Sequence, residues 1–181
     1  MGEFFLSTER LGFSLWHEDD LPDALELWGN PKVTKFVVAG GKMSREQVEQ
    51  RLNKEIETYN KSHVQYWPIY LKEINRIIGC CGLRPYDPDK NVYEMGMYLK
   101  EEYFGQGFGE EACRAVLEYA FVVLKASAVF VGHNPNNAAS ARLIKKLGFR
   151  YTHDEFYAPT GLYHPSYLMT WEDYAKDRIR T

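Results

Sequence analysis

The order of apolar periodicities along this 181-residue chain predicts an α/β (α+β) fold, and three observations carry that prediction. Residues 44–59 open on Ser44-x-x-Gln47, the form of a helix capping box, and then repeat Val48, Leu52, Ile56 and Tyr59 at helical spacing. Residues 66–71, 77–83 and 92–99 are β-rich runs separated by polar turns, as in a strand meander. Between 92 and 132 the period changes from strand to helix and back across a glycine-rich loop, which describes a β-loop-α-β unit.

Each element has its own local reason. Residues 6–15 alternate Leu11, Phe13 and Leu15 and read as a first strand. Asp19 or Asp20 caps a following helix, Pro22 suits its first turn, and Gly29 with Pro31 stops it. Gly40-Gly41 opens the turn before the second helix. A turn around Asn75 joins the two runs of a hairpin, and Pro68 places its strand at an edge or interrupts its pairing locally. Residues 85–89, Pro-Tyr-Asp-Pro-Asp, read as a turn before the third strand of the meander. A helix over 107–124 buries Ala112, Val116, Leu117, Ala120, Phe121 and Leu124, and 127–132 is a strand. Residues 134–137 form a turn and cap before a helix bearing Leu143, Ile144 and Leu147, which Gly148 closes. Residues 149–155 and 162–171 are strands around the turn at 158–161.

The stretch 103–110, Tyr-Phe-Gly-Gln-Gly-Phe-Gly-Glu, has the character of an anion cradle. Glycine allows positive φ and close backbone approach, and a helix starting here presents unpaired N–H groups at the positive end of its dipole. A Walker loop is excluded, because Gly109 is followed by Glu110 and Glu111 rather than Lys and Ser or Thr. A dinucleotide pattern, Gly107-x-Gly109-x-x-Ala112, lacks the acidic residue ~20 positions on. A Gly-rich turn without a ligand is the alternative.

Hydrophobic content of 45%, aromatics at 15% and a net charge of -3 describe a globular chain with no basic excess for nucleic acid. No linker divides it, so residues 1–181 read as one domain. No apolar run approaches ~20 residues and the start lacks the pattern of a signal peptide, so no membrane partner and a cytoplasmic location are expected. Cys80, Cys81 and Cys113 have no metal or disulfide spacing and read as buried thiols. The five histidines lack metal-site spacing, so no metal is expected; His133 is reserved as the one that follows a strand beside the loop-helix unit.

Five local motifs, in this order and spacing, resemble the GNAT superfamily of acetyl-CoA-dependent N-acetyltransferases, in the branch of the ribosomal-protein N-terminal acetyltransferases. They are residues 6–11 (Leu-Ser-Thr-Glu-Arg-Leu), 78–83 (Ile-Gly-Cys-Cys-Gly-Leu), 94–99 (Glu-Met-Gly-Met-Tyr-Leu) running into 104–109, 137–140 (Asn-Ala-Ala-Ser) and 146–149 (Lys-Leu-Gly-Phe). One departure is Phe104, where the family often has Gln or Arg, although an aromatic is usual in this branch. The resemblance implies a twisted mixed sheet with helices on both faces, split between the strands ending near Leu99 and Gly132. Acetyl-CoA would lie in the split. Main-chain groups of Met97 and Leu99 would pair with pantetheine as an added strand would. The N–H groups of Phe104, Gly105, Gln106, Gly107, Phe108 and Gly109 would hold the pyrophosphate. Asn137 matches the asparagine that faces the pantetheine arm, and helix capping is its other reading.

Acetyl transfer needs a neutral amine and therefore a base. Glu94 matches an acidic position of this branch and is the candidate, against a solvated surface glutamate. Ile144 stands where several GNAT enzymes carry the tyrosine that protonates the departing thiolate. Tyr98 and Ser140 are the substitute donors, with a core aromatic and a helix-surface hydroxyl as their alternatives. Positioning of amine and thioester alone is a further route. Cys113 reads as packing rather than an acetyl carrier.

The acceptor is an amine, with a protein N-terminus implied by the branch and polyamines, amino sugars or amino acids left open. A homodimer is also left open. The acceptor pocket would be built from 33–43 and 156–167, whose Phe36, Phe156, Tyr157, Tyr163 and Tyr167 are pocket walls or core. A non-catalytic CoA-binding module is the competing class, supported by Ile144.

Overall fold

The computed structural model describes residues 4–178; the ends of the domain expected over 1–181 lie outside the described residues. Eight strands form one mixed sheet: β1 (Leu6–Ser7), β2 (Leu11–Phe13), β3 (Tyr66–Leu71), β4 (Arg76–Asp87), β5 (Val92–Leu99), β6 (Ala128–Gly132), β7 (Arg150–Tyr157) and β8 (Leu162–Thr170). Their spatial order is β1-β2-β3-β4-β5-β6-β8-β7, antiparallel throughout except for the parallel pair β5/β6. Helices α1 (Leu21–Trp28), α2 (Pro31–Thr34) and α3 (Arg45–Ser62) belong to one face. Helices α4 (Phe108–Glu118), α5 (Ala138–Lys146) and α6 (Trp171–Arg178) belong to the other.

The strand period of two divides the core between those faces. Met95 and Leu99 of β5 are buried with Phe108, Ala112, Val116 and Ile144, and Met97 packs against that cluster. On the opposite face, Tyr66 and Cys80 are buried with Trp28, Val48 and Leu52, and Tyr98 packs against them. All three cysteines are free and buried, with the Cys81 and Cys113 sulfurs 3.9 Å apart.

Four element expectations change. The first strand is two short strands, because Thr8 and Arg10 turn the chain: Thr8 N bonds Leu11 O at 2.9 Å and β1 folds back on β2. Residues 85–87 continue β4 rather than forming a turn, with Pro85 opposite Tyr93. The N–H that Pro85 lacks would point toward β3, whose ladder with β4 has ended at the Leu83 N to Gln65 O bond, so its absence leaves no gap in pairing.

The helix expected over 107–124 stops at Glu118 and widens into a π-turn at Tyr119–Val123, closed by Leu124 N on Tyr119 O at 3.0 Å. Leu124 is only half-buried. The last strand ends at Thr170, where Thr170 and Asp173 exchange side-chain and backbone bonds and start α6. That Thr-x-x-Asp box was the sequence signal for α6.

Pro68 sits in a strand paired on both sides, and its pairing is locally interrupted. Its N–H would meet β2 one residue beyond Phe13, where that strand has ended, while its carbonyl accepts from Ser14 N at 3.3 Å.

Candidate active site

The parallel pair β5/β6 joins only at Val92/Ala128, Tyr93/Val129 and Glu94/Phe130. Beyond Glu94 the strands part, and the sheet is open along Met95 to Leu99. Lys100 N donates to Ile78 O of β4 at 2.8 Å, so even-numbered β5 residues turn their peptide groups toward β4. Met95, Met97 and Leu99 therefore present theirs to the gap, the arrangement an extended amide-containing ligand can extend as a strand.

At the end of β5 the chain enters the glycine loop. Gly105 and Gly107 have φ of 71° and 81°, a region that disfavours side chains, and a Cβ at Gly105 would meet nothing within 4 Å. Gly107 is the N-cap of α4 and its carbonyl accepts from Glu111 N at 3.1 Å. Alternation of left- and right-handed residues at a helix start makes a concavity of N–H groups suited to an anion. Phe104 is exposed, Gln106 turns its amide back to Glu102 O at 2.8 Å, and the Phe108 ring is buried beneath the loop. Gly109 is there for packing: a Cβ would lie 2.9 Å from the Met97 methyl.

Glu94 is the residue at which β5 and β6 part, and it is half-buried rather than a solvated surface group. Burial pushes its carboxyl above the ordinary range, the guanidinium groups of Arg84 and Arg51 oppose it, Glu155 adds to the effect, and the Tyr66 hydroxyl opposes it slightly. Sequence reading missed the platform that supplies those opponents. Glu55 of α3 is fully buried and accepts from Arg51 Nε at 2.9 Å, from Arg84 Nη2, and from Tyr66 N at 2.9 Å. Arg84 lies directly across the ladder from Glu94 and 4.2 Å over the Tyr66 ring. The available signal was the i, i+4 pair Arg51/Glu55 on the otherwise apolar stripe of α3.

Tyr98 shares the Glu94 face of β5, with its ring 6.4 Å from that of Tyr66 and Arg51 5.4 Å from its centre. Ser140 and Asn137 start α5 on the other side of the sheet, where Ile144 is core. Asn137 Oδ1 accepts from Ser140 N at 3.1 Å, so its capping role is in place. The structure thus puts Glu94 and Tyr98 on one face of β5, four residues apart, and leaves Ser140 on the α4 side of the gap.

The two segments expected to wall the acceptor pocket do meet, where Ala39 N donates to Pro159 O at 2.8 Å, and the turn after β6 joins them through Asn134 Nδ2, which donates to Phe36 O at 3.1 Å. Tyr157 closes this end, its hydroxyl pushed up by burial and by the charges of Tyr98 and Glu94. Phe156 and Tyr163 stand exposed on the same hairpin, while Tyr167 packs against the α4-side core and stacks on His133. His133 is buried, with Nδ1 at 2.8 Å from Asn134 O and Nε2 at 3.2 Å from the Tyr167 hydroxyl. Among the described residues, no group of three or more His, Cys, Asp or Glu could hold a metal ion, and no helix is long and apolar enough to cross a membrane.

Comparison with known proteins bears on this arrangement. The family profile described as an acetyltransferase (GNAT) domain matches residues 10–150. An uncharacterized N-acetyltransferase, p20 of Bacillus licheniformis, is 26% identical over 145 residues, covering 80% of this chain and 82% of that protein. Among solved structures, a GNAT-family acetyltransferase from Bacillus anthracis superposes with a TM-score of 0.78 at 22% identity, over 93% of this chain and 99% of that one. RimL, a ribosomal L7/L12 alpha-N-protein acetyltransferase in complex with coenzyme A, gives 0.78 at 14% identity over 93% and 98%. With the family profile spanning most of the sheet, the gap and the glycine loop, the chain belongs to the GNAT acetyltransferases and is an acetyl-CoA-dependent N-acetyltransferase with an amine acceptor.

Proposed function

We propose that residues 1–181 act as one domain that acetylates the N-terminal α-amine of a polypeptide, with Glu94 as general base. The observation that carries this reading is the position of Glu94: it is the last residue paired across β5/β6, and burial raises its proton affinity. A protein α-amine ionises near pH ~8 and a lysine amine near ~10.4, so a carboxylate of raised pKa is far better matched to the former. The exposed rings of Phe156 and Tyr163 on the β7/β8 hairpin would offer surface to residues that follow the amine.

Acetyl-CoA supplies the activated acyl carbon. In this reading the gap-facing peptide groups of Met97 and Leu99 align its amide arm, with Asn137 at the start of α5 facing it. The N–H groups of Phe104, Gly105, Gln106, Gly107, Phe108 and Gly109 take the pyrophosphate. Tyr98, on the Glu94 face, is the hydroxyl suited to give a proton to the departing sulfur, and Ser140 reaches the same bond only from the α5 side. Alkyl thiols of the cysteine type ionise near ~8.5, so the demand for an acid is modest and Ile144 does not disable transfer.

A small-molecule polyamine is the second reading, favoured by one observation: Glu155 stands close enough to Glu94 to raise it, and such a carboxylate pair attracts polycations. Thiol release on peptides with free or formylated N-termini, and on polyamines, separates the two. Turnover that survives formylation, or occurs on polyamines alone, overturns the α-amine assignment. For the base, Glu94→Gln is expected to lower kcat about 10²–10⁴-fold, the range for one general base. Unchanged turnover at neutral pH would remove Glu94 from that role.

A further inference from the structure

Arg10 belongs to the 6–11 stretch that the resemblance rests on, yet the reaction described above gives it no task. It lies in the turn between β1 and β2, and its side chain crosses to the start of α4. Arg10 Nε donates to Glu111 Oε2 at 2.6 Å and Arg10 N to Glu111 Oε1 at 3.0 Å, while Thr8 Oγ1 donates to that same oxygen at 2.5 Å. The other arm of the guanidinium reaches the glycine loop: Nη1 donates to the main-chain carbonyl of Gln106 at 3.1 Å. The group also covers the Phe108 ring at 4.3 Å and would stand 3.5 Å from a Cβ at Gly107.

Two consequences follow from elementary chemistry. No peptide bond among the described residues is cis, and across a trans peptide the carbonyl of Gln106 and the N–H of Gly107 point in opposite directions. By holding the carbonyl, Arg10 turns the Gly107 N–H away from itself. Second, the first turn of α4 carries two carboxylates, Glu110 and Glu111, where a pyrophosphate would otherwise be repelled. Glu110 is matched by Arg114 at 3.0 Å and by Lys146, and Glu111 by Arg10 at 2.6 Å. Burial favours the neutral form of Glu111, but its bonds from Thr8 and Arg10 prevail and hold it below the ordinary carboxylate range, so it stays ionised and its charge needs an opposing cation.

We propose that Arg10 is a positioning residue for the donor's pyrophosphate, fixing the 106–107 peptide with its N–H toward the anion and cancelling the charge of Glu111. This rests on the assignment of residues 104–109 to the donor. It predicts a loss confined to donors that carry the pyrophosphate.

The test compares acetyl-CoA with S-acetylpantetheine, which has the same thioester and arm without the diphosphate, in the wild type and in Arg10→Met. One charge-assisted bond of this kind corresponds to roughly a 10- to 100-fold change in affinity. The expected result is a KM for acetyl-CoA raised about 10–100-fold with kcat nearly unchanged, a parallel rise in the calorimetric Kd of CoA, and kcat/KM for S-acetylpantetheine within about twofold.

Arg10→Lys keeps a cation near Glu111 but not the two-armed fork, so it should fall between the two. If Arg10→Met melts below the assay temperature, Arg10→Lys carries the comparison. An equal loss on both donors, or none on either, overturns the proposal. Gly107→Asp on the same donors tests the seat itself. If acetyl-CoA keeps its advantage over S-acetylpantetheine there, the donor assignment falls too; if only Gly107→Asp removes that advantage, Arg10 alone is wrongly assigned.

Discussion

Replacing Glu55 by glutamine tests the platform beneath Glu94. The carboxylate has no solvent exposure and accepts from two guanidinium groups and one backbone N–H, so the isosteric amide keeps the shape while removing the charge. Arg51 and Arg84 would then face each other largely buried, with Arg51 Nη2 and Arg84 Nε already lacking hydrogen-bond partners. Breaking a buried ion pair from one side costs about 3–5 kcal/mol. For a domain of this size each kcal/mol lowers Tm by about 2–4 °C, so a fall of roughly 6–20 °C is expected in a thermal melt followed by circular dichroism.

A combined Glu55→Leu, Arg51→Leu, Arg84→Met variant should recover much of that loss, because no charge is left unpaired. The rates carry a second signal. Without Glu55 the two arginines act on Glu94 unopposed and favour its ionised form, so the acid limb of kcat/KM should move to lower pH. A Glu55→Gln protein melting within about 2 °C of wild type, with an unmoved acid limb, would refute the account of this cluster.

Two further outcomes can be checked. The pKa of Glu94 is raised by folding, so the native state holds its proton more tightly than the unfolded chain, and stability falls as pH rises through the ordinary carboxylate pKa toward the native one. Glu94→Gln should therefore raise Tm at pH 7.5 but not near pH 4, and a gain present at both would refute burial as the cause. Gly96→Ala would place a Cβ 2.4 Å from the buried Tyr66 ring, a contact relieved only by a shift of about 1 Å, so overpacking of about 1–3 kcal/mol is expected. Because the Tyr66 hydroxyl is one of the groups that act on Glu94, kcat should fall with stability; full activity in a destabilised Gly96→Ala protein would separate Tyr66 from the site.

Local chemistry determined much of this protein from sequence alone. The Ser44 and Gln47 box starts α3, Gly105 and Gly107 take positive φ before α4, and the meander 66–99 pairs as expected, since each depends on a few adjacent residues. Elements set by distant partners were not legible. Pro85 stays in a strand because β3 has already ended beside it, and α4 widens into a π-turn without any local breaker.

The site divides the same way. On the proposed assignment the donor side is nearly contiguous, from the gap-facing edge of β5 into the loop at 104–109 with Asn137 as its distant member, so its sequence is enough to suggest it. The surroundings of Glu94, the proposed base, are not: they come from Glu55 and Arg51 on α3, Arg84 on β4 and Tyr66 on β3. Likewise Arg10 meets Glu111 and Gln106 only after about a hundred residues of chain have folded back. A proton affinity or a peptide orientation is the sum of such nearby charges and bonds, and tertiary structure alone decides which ones are near.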